Sequence, residues 1–143
     1  MRIWKHEFTI ETLNQLREGT IVEHLGIEYT DFGDNWLKAR MPVDARTVQP
    51  ARILHGGASV TLAETLGSIA SHLCIDETTS YAVGLEVNAS HLRPASSGFV
   101  HGEVHPIHLG RTTHIWDIRI RNEQEKLVCI SRLTVAIRSH NDT

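Results

Sequence analysis

Five groups between residues 49 and 68 have the types and spacing to act on an acyl carbonyl: the amide of Gln49, the imidazole of His55, the backbone N–H of Gly56, the carboxylate of Glu64 and the hydroxyl of Ser68. The first N–H groups of a helix lack intrahelical partners and carry the positive end of its dipole, so a helix opening at Gly56 suits an oxygen that gains negative charge. A carboxylate two turns further on supplies a nucleophile or a general base. The separation between the two is informative. Eight residues at ~1.5 Å each place the backbones of Gly56 and Glu64 ~12 Å apart along the axis. Groups acting on one carbonyl must instead lie within ~3 Å of its oxygen and carbon. A glutamate side chain leans toward the helix N-terminus and recovers only part of that distance. The spacing therefore predicts a site in which Gly56 of one subunit works with Glu64 of its dimer partner.

The elements that would hold these groups follow from hydrophobic periodicity. Ala58, Leu62, Leu66, Ile69 and Leu73 recur at helical spacing, so one long helix is expected from about 56 to about 73, with Thr61, Glu64, Ser68 and Ser71 on its other side. A short helix is expected over 9–17 from Ile10, Leu13 and Leu16, closed by Gly19. Residues 21–30 and 35–42 read as strands separated by a turn at 31–35, and 43–54 as a loop bracketed by Pro42 and Pro50. After a polar loop at 76–80, the runs 81–92, 99–107, 112–121 and 126–138 all read as strands, and the tail 139–143 as frayed. In the first of these, Val83, Leu85, Val87 and Ala89 alternate with Glu86, Asn88 and Ser90. Helices segregated from an antiparallel sheet define an α+β class. One helix cannot cover both faces of about six strands, so the sheet should wrap around it and leave edges for pairing with a second chain.

The 143 residues form one domain, 1–143, with no repeat or linker to divide them. A net charge of −3 gives no basic footprint and argues against nucleic acid as a partner. No stretch approaches the ~18 apolar residues of a membrane span, and the start lacks the apolar core of a secretory signal. Cys74 and Cys129 sit in no paired pattern, which suits reduced thiols and a cytoplasmic setting. His101, His105 and His108 cluster with Glu103, but their spacing has no zinc-site context, and no metal is expected.

Taken in order, several segments resemble one family. They include Ile3-Trp4-Lys5, Leu25-Gly26-Ile27, Met41-Pro42-Val43-Asp44, Gln49-Pro50, Leu54-His55-Gly56-Gly57-Ala58-Ser59 and Leu62-Ala63-Glu64-Thr65-Leu66-Gly67-Ser68. The pattern continues through Val83-Gly84-Leu85-Glu86-Val87-Asn88-Ala89, His91-Leu92-Arg93-Pro94 and Pro106-Ile107-His108-Leu109-Gly110-Arg111. Over nearly its whole length the chain resembles hotdog-fold acyl-CoA thioesterases that carry a glutamate on the central helix. It is most similar to the bacterial group containing 1,4-dihydroxy-2-naphthoyl-CoA hydrolase and the proofreading thioesterase of enterobactin synthesis.

That resemblance implies a hotdog fold, an antiparallel sheet of about six strands wrapped around one long central helix, and a homotetramer made as a dimer of dimers. It implies hydrolysis of an aryl- or acyl-CoA thioester, or of an acyl group on a carrier protein, with coenzyme A as part of the substrate and no cofactor. Menaquinone biosynthesis is one pathway it points to. Glu64 would attack the thioester or activate water, Gly56 would polarise the carbonyl, Gln49 and His55 would orient it, and Ser68 would support Glu64. His91 would contact the acyl ring, Gly84 and Asn88 would lie along the pantetheine arm, and Arg93, Arg111 and His108 would reach the phosphates. A thiolate leaves readily, its thiol having a pKa of about 8.5, so this kit needs no strong general acid.

One departure stands out. Similar sequences carry Phe-Gly where this chain has Ala51-Arg52, which bears on substrate preference rather than on the reaction. The alternatives are a hotdog hydratase, which the glutamate after His-Gly-Gly disfavours, and a non-catalytic acyl-CoA-binding domain in which Glu64 is structural.

Overall fold

The first ordered helix is set by its cap. In the computed structural model, which describes residues 1–142, Thr9 accepts a hydrogen bond from Thr12 N and starts α1 (Ile10–Gln15), burying Leu13. Leu16 falls outside the helix and is largely exposed, so it does not extend the core as its spacing suggested. The run expected as a strand from residue 21 begins instead as a helical turn, α2 (Ile21–His24). Thr20 accepts from Val22 N, and Gly19 and Gly26 turn the chain at φ 72° and 73°, a region that β-branched neighbours cannot enter. Only then does β1 (Glu28–Phe32) form and pair with β2 (Leu37–Pro42).

The long helix α3 runs Gly56–Leu73, matching its apolar period. It buries Ala58, Leu62, Leu66 and Leu73 as expected and also Ser59, Ala63, Gly67, Ala70 and Ser71, while Ile69 is only partly buried. Close packing explains the small residues. A Cβ on Gly67 would lie 2.4 Å from Leu133, and one on Gly102 would lie 2.8 Å from Leu66.

Four long strands follow, β3 (Ser80–His91), β4 (Phe99–Leu109), β5 (Thr113–Arg121) and β6 (Leu127–Ser139). With β1 and β2 they make one antiparallel sheet in the order β1-β2-β4-β5-β6-β3, curved around α3. The tail is more ordered than expected, with a 3-10 turn at His140–Asp142 and His140 N donating to Thr79 O; Thr143 lies outside the described residues.

The alternation expected in β3 fails at one residue. A bulge between Gly84 and Glu86 puts an extra residue, Leu85, into the strand and reverses its phase. Val87 and Ala89 face the core, whereas Val83 and Leu85 are exposed. The strand is also an edge of the sheet, so one side of its twelve-residue ladder is unpaired within the chain.

Under α3, Trp116 Nε1 donates to Ser71 Oγ at 2.7 Å, and Ser71 Oγ shares a 2.9 Å hydrogen bond with His114 Nδ1. Ser71 was expected on the polar side of the helix but is fully buried. Burial lowers the pKa of His114 from 6.5, so the unfolded chain takes up its proton more readily than the folded one. His114 therefore contributes stability that is fully present above about pH 6.5 and is lost as the pH falls below it. We expect the urea midpoint to fall between pH 7.5 and pH 5, and to fall less in His114→Asn, which keeps a partner for Ser71 but cannot titrate. Equal falls in the two proteins would show that His114 is not the group responsible.

Candidate active site

The segment before α3 is a tight hairpin that presents Gln49. Val48 bridges Leu54, Gln49 N donates to Ile53 O, and Arg52 N donates to Gln49 O. Gln49 Oε1 accepts from Ala51 N at 2.7 Å. With its oxygen committed to the backbone, the amide offers its NH2 group outward, as a donor and not as a base. His55 caps α3, its Nδ1 accepting from Gly57 N at 2.8 Å. That bond places the ring proton of neutral His55 on Nε2, again an outward donor. Ala58 N and Ser59 N donate to His55 O, and Gly57 N is held by the cap, which leaves Gly56 N with no hydrogen-bond partner among the described residues. The ring of His91, at the end of β3, stands directly over Gly56, where an added Cβ would lie 2.8 Å from its Nε2. Gln49, Gly56, His91 and Arg93 together line one cavity of about 460 Å³, with the buried Ser59 at its floor.

Glu64 and Ser68 line a different cavity, of about 620 Å³. The Glu64 carboxylate is half-buried, has no hydrogen bond or ion pair among the described residues, and sits against the Cα of Gly84. Thr61, one turn away, is not its partner, since Thr61 Oγ1 donates to Gly57 O. Tyr29 adds a phenol to this cavity, and burial pushes its pKa up to about 12, so it stays protonated and able to donate. Within one chain, then, Gln49 and Gly56 open into one space and Glu64 and Ser68 into another, while His55 lines neither.

The remaining expected residues are dispersed. Asn88 is exposed, donates to Glu86, and lines neither cavity. Arg93 donates to Leu127 O at the start of β6, whereas His108 lies near the end of β4 and Arg111 in the turn before β5, where Thr113 pairs with Ala136 near the end of β6. The length of β6 between those points separates Arg93 from Arg111 by roughly 30 Å in one chain. The His101–Glu103–His105 cluster resolves into separate pairwise contacts, His101 with Glu123 at 3.3 Å, and Glu103 with both His105 and Lys38.

Sequence reasoning missed the far wall of the Glu64 cavity, made by Ile21, Val22 and Tyr29, because Ile21 and Val22 read as strand. It also missed His114, whose signal was available. His114 shares the alternating phase of Trp116, Ile118 and Ile120, all of them buried.

Arg52 adopts φ 67°, in the left-handed region that favours glycine. The conformation costs Arg52 about 1 kcal/mol. Arg52→Gly is accordingly expected to raise Tm by about 3 °C in thermal unfolding. A fall in Tm would mean that the arginine side chain stabilises the turn by more than its backbone strain.

The chain matches the Thioesterase superfamily over residues 51–129. It is 53% identical over 135 residues to the proofreading thioesterase EntH of Cronobacter turicensis, covering 94% of this chain and 98% of that one. It is 50% identical over 135 residues to the 1,4-dihydroxy-2-naphthoyl-CoA hydrolase of Escherichia coli, with the same coverage. The crystal structure of a Pseudomonas aeruginosa thioesterase, a mutant with glutamine replaced by alanine, superposes with a TM-score of 0.94 at 51% identity, covering 96% of this chain and 99% of that one.

The chain belongs to the thioesterase superfamily and has its hotdog fold, a six-stranded antiparallel sheet around a central helix. It is a thioester hydrolase. No helix among the described residues is long and apolar enough to cross a membrane.

Proposed function

We propose that the chain hydrolyses an aryl- or acyl-CoA thioester, or the same acyl group on a carrier protein, at sites shared by two copies. Water supplies the new C–O bond, the C–S bond breaks, and the thiolate leaves and is protonated. The Gly56 N–H holds the carbonyl oxygen at the positive end of α3, and the donor faces of Gln49 and His55 orient it. Glu64 attacks the carbonyl carbon or takes the proton of the attacking water, with Ser68 beside it. One preorganised donor of this kind contributes about 3–4 kcal/mol to the transition state.

The observation that carries this reading is the pair of unpartnered groups, the Gly56 N–H and the Glu64 carboxylate, each resting against the free-edged strand β3. Gly56 sits under His91 and Glu64 against Gly84. Those strand positions are seven residues apart, roughly 23 Å on an extended strand. Antiparallel pairing of two β3 edges, centred on Val87 or Asn88, sets Gly84 of one copy nearly opposite His91 of the other, about 5 Å away. Each donor half then meets a carboxylate half.

The same pairing carries Arg93 of one copy to Tyr81 or Val83 of the other, beside the row of Ala136 and Thr113 at the end that holds Arg111. It makes both arginines candidates for the phosphates of one coenzyme A. A second pairing of such dimers gives the homotetramer. The E. coli relative makes 1,4-dihydroxy-2-naphthoyl-CoA, and with it menaquinone biosynthesis, the first substrate to test. An acyl group on a carrier protein is the second. A cytoplasmic location and catalysis without a cofactor complete the proposal.

The test is release of thiol from a panel of acyl-CoA thioesters by the purified protein, followed with a thiol-specific reagent. The protein's own thiols should stay silent, because burial pushes Cys74 up to about 12 and raises Cys129 as well. Turnover by the wild type and its loss in Glu64→Ala are expected. Wild-type rates no faster than those of Glu64→Ala would leave an acyl-CoA-binding domain instead.

A further inference from the structure

The turn α2, which replaces the expected strand, is built more firmly than a surface connection requires. Thr20 Oγ1 donates to Arg17 O at 2.6 Å and accepts from Val22 N, while Arg17 Nη1 donates to Ile27 O at 2.9 Å. Glycines at positive φ close it at both ends. The product of this local order is an isoleucine held out of the core. Val22 packs on the core, but Ile21 is 59% exposed.

A lone exposed isoleucine is ordinary. Ile21 differs in what it faces, since it lines the cavity that holds the Glu64 carboxylate. The wall formed by α3 is the more polar one, with Thr61, Glu64, Thr65 and Ser68 beside Val60 and Ile69, and the wall from α2 and β1 is apolar apart from the Tyr29 hydroxyl. His72 also borders the space but is committed to Glu77 at 3.1 Å. Within one chain no unpaired cation lines this space, and the carboxylate of Glu64 would repel an anionic acyl group.

We infer that Ile21, held on the capped turn α2, is a specificity-determining residue that packs against the apolar body of an uncharged acyl group whose carbonyl end lies at Glu64. This rests on the thioesterase reading above, and it assigns α2 a role in choosing the substrate. The carbonyl lies toward the polar helix wall and the hydrocarbon or ring toward Ile21. A methylene gained or lost in such a pocket changes kcat/KM by roughly 10- to 200-fold. The partial exposure of Ile21 places its truncation at the lower end of that range.

The experiment compares kcat/KM for benzoyl-CoA and acetyl-CoA in the wild type, Ile21→Ala and Ile21→Leu. In Ile21→Ala the benzoyl-to-acetyl ratio is expected to fall about tenfold, because acetyl has no hydrocarbon beyond its methyl group to pack against α2. Ile21→Leu, which keeps the apolar volume on a helical turn, should restore most of the ratio. Disturbance of Glu64 or of folding would lower both substrates together and leave the ratio unchanged. A fall of less than about fivefold in Ile21→Ala, or a ratio in Ile21→Leu no better than in Ile21→Ala, overturns the inference. Failure of the underlying reading would look different, since the wild type would then release thiol from neither substrate.

Discussion

Glu64→Ala is expected to lower kcat for thioester hydrolysis by about 100- to 10,000-fold, the range associated with loss of a positioned base or nucleophile. The expectation follows from how little else the carboxylate does. It makes no hydrogen bond or ion pair among the described residues, and it lies half-buried against Gly84. Such a group adds little to folding, because its partial desolvation is not offset by a partner. Tm in Glu64→Ala should therefore drop by no more than about 2 °C, and KM should change by less than about threefold. Glu64→Gln, nearly identical in shape, should be as inactive as the alanine variant. A drop in kcat accompanied by a large loss of stability would instead mark Glu64 as structural. Stopped-assay kinetics and thermal unfolding on the same preparations distinguish the two outcomes.

Removing the Gly56 N–H is expected to lower kcat by about 100- to 1,000-fold, as for other single oxyanion donors. Proline is the substitution that deletes this donor, and position 56 is the first residue of α3, where proline is well tolerated. His55 already has φ −71° and ψ 132°, a conformation compatible with a following proline. The obstacle is His91, since any Cβ at residue 56 would lie 2.8 Å from its Nε2. The comparison therefore belongs in a His91→Ala background. There Gly56→Ala keeps the N–H and should retain the background kcat within about threefold, whereas Gly56→Pro should lose the full factor. Equal rates for the two double variants would assign the carbonyl to another donor, with the Gln49 amide the next to examine.

The central helix was legible in the sequence because its signal is local. The 3.6-residue period of Ala58, Leu62, Leu66 and Leu73 places α3 correctly, and the fixed rise per residue separates Gly56 from Glu64 without any tertiary information. The last four strands were legible for the same reason.

The misreadings arose where one residue changed the local rule. Leu85, inserted as a bulge, inverts β3, and periodicity alone cannot register an extra residue. Ile21 and Val22 favour strands by composition, but the Thr20 cap and the two flanking glycines at positive φ bend that segment into a helical turn. Ser71 lies on the hydroxyl side of α3, yet the curved sheet reaches around to cover it, bringing His114 and Trp116 to its hydroxyl. The two cavities also escape sequence reasoning. Their walls combine residues from α2, β1, α3 and β3, and only the packed sheet shows that Gly56 and Glu64 open into different spaces.

Subunit mixing tests the shared site most directly. One parent carries Glu64→Ala and the other Gly56→Pro with His91→Ala, so each homodimer is nearly inactive. In a hybrid dimer with shared sites, one site collects all the lesions and the other has none. After unfolding and refolding an equal mixture, a statistical population of hybrids should recover about a quarter of wild-type activity. If the mixture contains hybrid dimers, verified by differential tags, and its activity stays at the level of the parents, then Gly56 and Glu64 do not serve one substrate from two chains.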